Sequence, residues 1–73
     1  MKILLFGHLA KNLGWKEKKI NWEKNKTLKK IWDEEIKLKK EKIKPALNFE
    51  FCEWDQEIPK NAEIAFLPPM SGG

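Results

Sequence analysis

The group with the most direct chemical use sits at the end of "IAFLPPMSGG", in the run Pro68, Pro69, Met70, Ser71, Gly72, Gly73. It is the carboxylate of Gly73, at the tip of a segment that narrows almost to bare backbone. A carboxylate is inert as an acyl donor until one of its oxygens becomes a leaving group. Joining it to AMP does that, and a sulfur nucleophile can then displace the AMP. Six residues at roughly 3.3 Å each reach about 20 Å. The prolines favour extended polyproline geometry, which reduces the entropy lost on threading a channel. Glycine has no Cβ, so other groups can approach Gly72 and Gly73 closely. The expectation is a flexible tail over 68–73 that carries Gly73 into a partner's pocket.

The other reactive side chains are few. His8 follows the first apolar run, and no nucleophile or carboxylate is nominated beside it, so it reads as a surface histidine. Cys52 lies in "EFCEW", between Glu50 and Glu53, whose charge opposes a thiolate. One cysteine excludes an internal disulfide, and one histidine with it is too few for structural zinc. That cysteine usage fits the reducing cytosol. There is no glycine-rich phosphate loop, so ATP binding by this chain is not expected. The net charge of +4 invites a nucleic-acid reading, but all 15 basic residues are lysine. Without arginine there is no planar fork for phosphate or guanine, and acids interleave with the lysines in "KEKKINWEKNK". The run in "MKILLFGHLAKN" is short for a secretory leader, and no stretch approaches the roughly 20 apolar residues of a membrane span.

Positioning such a tail needs a small scaffold. Seventy-three residues, 41% hydrophobic, make one domain over 1–73 with a small core, of a size that often leans on a partner. "KILLFG" reads as a buried strand, with Ile3 and Leu5 on one face, Leu4 and Phe6 on the other. "LAKNLG" reads as a short helix ending at Gly14. "KKINWE" alternates as a half-buried strand with Ile20 and Trp22 inward. Thr27 caps a helix whose stripe is Leu28, Ile31, Trp32 and Ile36, and Leu38 extends it or begins its exit. A lysine-rich connector over 37–44 follows, with Pro45 ending any helical habit. "ALNFEF" and "EIAFLP" are the last two strands. Ile58 anchors the intervening loop, and Asn61 takes a positive φ. In the final strand Ile64 and Phe66 share the core face, Ala65 and Leu67 the other. The expected architecture is α+β: a four-stranded sheet, or a five-stranded one if an extra short strand forms, crossed by one main helix. Phe6 and Leu67 then form an apolar patch wherever their strands lie side by side.

The closing Pro-Pro-x-Ser-Gly-Gly resembles the C-terminal signature of the small, sulfur-carrying subunit of molybdopterin synthase. The resemblance runs back through "ALNFEFCEWDQEIPKNAE", "TLKKIWDEEI" and "KILLFGHLAKNLG", nearly the whole chain. One departure is Lys60, Asn61, Ala62, Glu63, where that family commonly has Asp-Gly-Asp-Glu. The resemblance implies a ubiquitin-like β-grasp fold with a mixed sheet. It implies no cofactor bound by this chain, ATP and Mg being used by an activating partner that adenylates Gly73. Sulfur from a persulfide donor protein then replaces AMP to give a thiocarboxylate. The tail, Pro68, Pro69, Met70, Ser71 and Gly72 included, enters the large catalytic subunit of a heterotetramer. There sulfur passes to a cyclic pyranopterin monophosphate. Phe6, Phe51 and Leu67 match that family's hydrophobic docking residues, and the chain is not catalytic alone. A carrier for thiazole synthesis or another acceptor, and a ubiquitin-like protein modifier, are the alternatives; nucleic acid and membrane are not expected partners.

Overall fold

The first apolar run forms β1 (Lys2–Leu5), with Ile3 and Leu5 buried and Leu4 on the opposite face as its pleat requires. The computed structural model describes residues 1–39 and 42–68. The tail residues Pro69, Met70, Ser71, Gly72 and Gly73 therefore lie outside the described residues, as do Lys40 and Glu41 of the connector. The short helix α1 (Gly7–Leu13) ends at Gly14, whose φ of 79° lets its amide close on the Ala10 carbonyl at 2.9 Å.

The main helix, α2 (Leu28–Ile31), continues as a wider π-type turn over Trp32–Ile36. The expected stripe holds: Leu28, Ile31, Trp32 and Ile36 are all buried. The first amides of a helix have no partner within it. Here Thr27 Oγ1 accepts from Lys30 N at 3.2 Å, while Leu28 N and Lys29 N donate to the Gln56 and Trp54 carbonyls. The 53–58 loop thus docks on the helix start, which explains why Ile58 is buried beneath it. Lys37, at φ 63°, ends the helix by donating to the Trp32 carbonyl, and the Trp32 indole donates to the Leu38 carbonyl at 2.6 Å. Leu38 therefore begins the exit.

β2 (Glu17–Lys19) pairs antiparallel with β1, and β5 (Glu63–Leu67) lies parallel on β1's other side. β3 (Lys44–Leu47) pairs antiparallel with β5 and with β4 (Glu50–Phe51), giving the order β2-β1-β5-β3-β4. The sheet is five-stranded and mixed, with α2 across one face: the β-grasp arrangement. Asn61 has the expected positive φ, 60°.

Three local expectations change. The second strand is displaced: Glu17–Lys19 form it and are exposed, whereas Ile20 and Trp22 follow it, half-buried. Their alternation reflects the Trp22 indole reaching the Ile58 carbonyl at 2.7 Å, not a pleat. "ALNFEF" is not one strand but a hairpin, because Asn48 and Phe49 both take positive φ, 50° and 69°, and reverse the chain. Pro45 does not close a helical stretch; it lies buried inside β3, opposite Phe66.

Candidate docking face and tail base

Strand order and pleat together decide what the sheet face away from α2 carries. Leu4, Ala65, Ala46 and Phe51 form one row across β1, β5, β3 and β4, each directly opposite the next. One step further along, Phe6 continues β1 in extended geometry, φ −126° and ψ 157°, so it stays on this face, and Leu67 pairs with Lys44. Ala46 and Ala65 are small and form a floor. Phe6, Phe49, Phe51 and Leu67 rise around them to make a groove of about 160 Å³. The rings remain wet: Phe6 is 45% exposed, Phe49 78% and Phe51 68%. Among the described residues no helix covers this side, and contiguous exposed apolar area of this kind marks an interaction surface.

Pleat parity sets Phe6 and Leu67 on this face, the family resemblance adds Phe51, and the fold brings all three to one groove. Pro68, the last tail residue described, adjoins it. Gly7 has φ +58°, and a Cβ there would lie 3.0 Å from Pro68 Cγ. Gly7 therefore does two things only glycine does without strain: it starts α1 from a left-handed backbone and lets the proline ring rest against it. This close approach lies where the described chain ends at Pro68, and the sequence marks Gly7 only as the boundary of the first apolar run.

Phe49 is the other residue missed. Asn48 and Phe49 are the two residues between the paired Leu47 and Glu50, a turn with positive φ at both positions. Such turns favour asparagine first and glycine second. Asparagine is present, but phenylalanine stands where glycine is preferred, at a strain of about 1–3 kcal/mol. The turn is held in place from outside. Asn48 N donates to the Glu63 carbonyl at 2.8 Å, and Glu63 N donates to Asn48 Oδ1 at 2.9 Å. Asn48 alone hints at the turn, but without a glycine after it the usual hairpin signal is missing.

The remaining candidates lie apart. His8 is exposed at the start of α1. Cys52 is half-buried; burial first, then the charge of Glu53, pushes its thiol pKa up, which keeps it protonated and unreactive near neutrality. It borders a larger hollow of about 390 Å³ beside β4, with Lys42, Lys44, Glu53 and Trp54 among its walls. That hollow mixes charges with apolar surface, so the smaller, more apolar groove is the better docking candidate. Among the described residues, no group of three or more His, Cys, Asp or Glu could hold a metal, and no helix is long and apolar enough to cross a membrane.

Residues 3–73 match the sequence model of the ThiS family. The chain belongs to the ThiS family. ThiS-family chains are small ubiquitin-like sulfur carriers, and the match takes in the closing glycines. Solved structures agree on the fold. The crystal structure of SAMP1 from Haloferax volcanii is similar at 21% identity, with a TM-score of 0.79 over 99% of this chain and 97% of that one. A second, the H. volcanii small archaeal modifier protein 1, gives 18% identity and a TM-score of 0.77, covering 94% of this chain and 95% of that one. No curated protein sequence matches the chain.

Proposed function

We propose that this ThiS-family chain is the sulfur-carrying subunit of molybdopterin synthase, with Gly73 as its acyl carrier and Gly72 giving access to it. The family match through residue 73, onto the Gly72-Gly73 end, supports the carrier chemistry, and the Pro-Pro-x-Ser-Gly-Gly ending supports molybdopterin synthase as the acceptor system. An ATP-dependent enzyme, using Mg, transfers AMP to the Gly73 carboxylate and releases pyrophosphate. A persulfide sulfur on a donor protein attacks that carbonyl and AMP departs. Cleavage of the resulting acyl disulfide by a thiol leaves the thiocarboxylate. The loaded chain then docks on the large subunit through Phe6, Phe51 and Leu67. Pro68, Pro69, Met70 and Ser71 pass the channel, and sulfur goes to a cyclic pyranopterin monophosphate. The chain supplies no acid, base or metal to that transfer; it supplies a placed sulfur.

Intact-mass measurement after incubation with adenylating enzyme, ATP and persulfide donor tests the loading. One terminal oxygen should be replaced by sulfur, and deletion of Gly73 should abolish the change while leaving the fold intact. Sulfur transfer that survives the deletion removes the proposal. Conversion of the cyclic pterin by the loaded chain with a purified large subunit tests the pathway; conversion of a thiazole precursor instead reassigns it. A second reading, a protein modifier, is favoured by the likeness in fold to the H. volcanii small archaeal modifier protein 1. It predicts isopeptide conjugates of higher mass on a denaturing gel, where the sulfur-carrier reading predicts none.

A further inference from the structure

Hydrogen-bond parity decides which backbone groups of β2 face outward. In an antiparallel ladder, residues that exchange bonds alternate with residues that do not. Ile20 N donates to the Met1 carbonyl, the Met1 amine donates to the Ile20 carbonyl, and Leu5 N donates to the Lys16 carbonyl. Lys18, opposite Ile3, is therefore bonded inward as well. Glu17 and Lys19, opposite Leu4 and Lys2, turn their N–H and C=O groups away from β1. No strand lies beyond β2 among the described residues, and all of β2 is exposed. The other edge strand, β4, is only Glu50–Phe51.

An unpaired edge is a template for another strand, and lysines along it ordinarily discourage pairing. The order of charges here does the reverse. A two-fold axis through Lys18 sets Glu17 opposite Lys19 of the second copy, and Lys19 opposite its Glu17. These are the residues whose backbone faces outward, so hydrogen bonding and charge select the same register. An axis at Glu17 would oppose two glutamates, and one at Lys19 two lysines. Glu17 meets Lys2 at 3.8 Å through Oε2, which leaves Oε1 for the new lysine. The axis brings the two Lys18 side chains near each other, but each lies on the helix side of the sheet, 3.0 Å from Glu35. We propose that β2 pairs antiparallel with β2 of a second copy about Lys18, joining two sheets into one. Such an axis is perpendicular to the sheet, so both apolar grooves open on the same side. The two β5 strands then run in opposite directions, and their Leu67 ends lie at opposite ends of the joined sheet. Neither groove is covered, so the pairing goes beyond the carrier reading and does not depend on it. So short an edge buries well under the roughly 800 Å² per partner of a stable interface, and the association is weak and reversible.

Amide hydrogen exchange and sedimentation velocity on the full chain test this between about 20 μM and about 1 mM protein. The Glu17 and Lys19 amides should exchange about twofold or more slowly at the higher concentration, whereas the Lys18 amide, already bonded to β1, should not change. Lys19→Pro removes an outward N–H that the fold does not use. It should keep the melting temperature within about 4 °C and abolish association. Glu17→Lys alone and Lys19→Glu alone should each lose self-association, because each sets like charges opposite one another. Mixed together, the two variants should associate, because every lysine at these positions then meets a glutamate. Exchange that does not vary with concentration overturns the pairing. So does association that survives in Lys19→Pro, or that is lost in Phe51→Ala, which would place the contact on the groove. Variants that stay apart when mixed overturn the register about Lys18.

Discussion

One sheet carries aromatic rings on both faces, in opposite states. Beneath it Trp32, Trp54 and Phe66 pack edge-on and stacked, with centroids 5.0 to 5.8 Å apart. Above it Phe6, Phe49 and Phe51 stand around two alanines and face water. The same residue type stabilises on one face and contributes little to stability on the other, because only burial removes apolar surface from water. The chain therefore separates what holds it together from what it shows to a partner. Substitutions on the two faces should fail in different assays.

The largest effect is expected below the sheet. Phe66→Ala removes a ring that is wholly buried against Trp32 and Trp54, and should cost about 3–5 kcal/mol, measured by urea unfolding. That is a large share of what a domain this small holds. Gly7→Ala comes next. It combines a positive φ with a 3.0 Å approach to Pro68, so about 1–3 kcal/mol of stability should go, and sulfur loading should slow because the tail's base moves. Normal loading by Gly7→Ala would show that the Pro68 contact does not aim the tail.

Thr27→Ala should cost about 1 kcal/mol by freeing the Lys30 amide, with loading unaffected once the chain is folded. On the open face, Phe51→Ala should change stability by no more than about 0.5 kcal/mol, yet weaken partner binding in a titration. A core-sized loss in that variant would erase the distinction between the faces.

The smallest effect concerns pH. The Glu23 carboxyl is held below its ordinary value by its hydrogen bond and charge interaction with Lys26. Its contribution is full above the unfolded carboxylate pKa and is lost as pH falls through the lowered one. Lys26 is held above its ordinary value by hydrogen bonds from its ammonium to Glu23 and Glu34. Its share is full below the unfolded lysine pKa and fades as pH rises through the raised one. Both groups are near water, so Lys26→Met should lower the urea midpoint only slightly at neutral pH. That difference should vanish on acidification through the carboxylate range.

Periodicity exposed most of the core in advance. Ile3, Leu5, Leu28, Ile31, Trp32, Ile36, Ile64 and Phe66 are all buried where their spacing put them, and Ile58 is buried as the loop's lone apolar anchor. Thr27 as cap, and Gly14 and Asn61 at positive φ, were legible because each solves a local backbone problem by its own chemistry. Ala62, buried at 1% exposure, was not, since a lone alanine carries no periodic signal. The hairpin at Asn48-Phe49 was hidden by composition: two aromatics two residues apart look like one strand, and phenylalanine does not announce a turn.

Pleat parity alone set Phe6 and Leu67 off the core face, since successive side chains on a strand must alternate. It could not say that they meet. That depended on β5 entering between β1 and β3, a long-range pairing that joins residues some sixty positions apart, Leu5 with Phe66 among them. The chain's own order of residue types fixed its inward stripe and its closing glycines. Only the folded sheet, by choosing which strands are neighbours, turned scattered rings into one groove at the base of the tail.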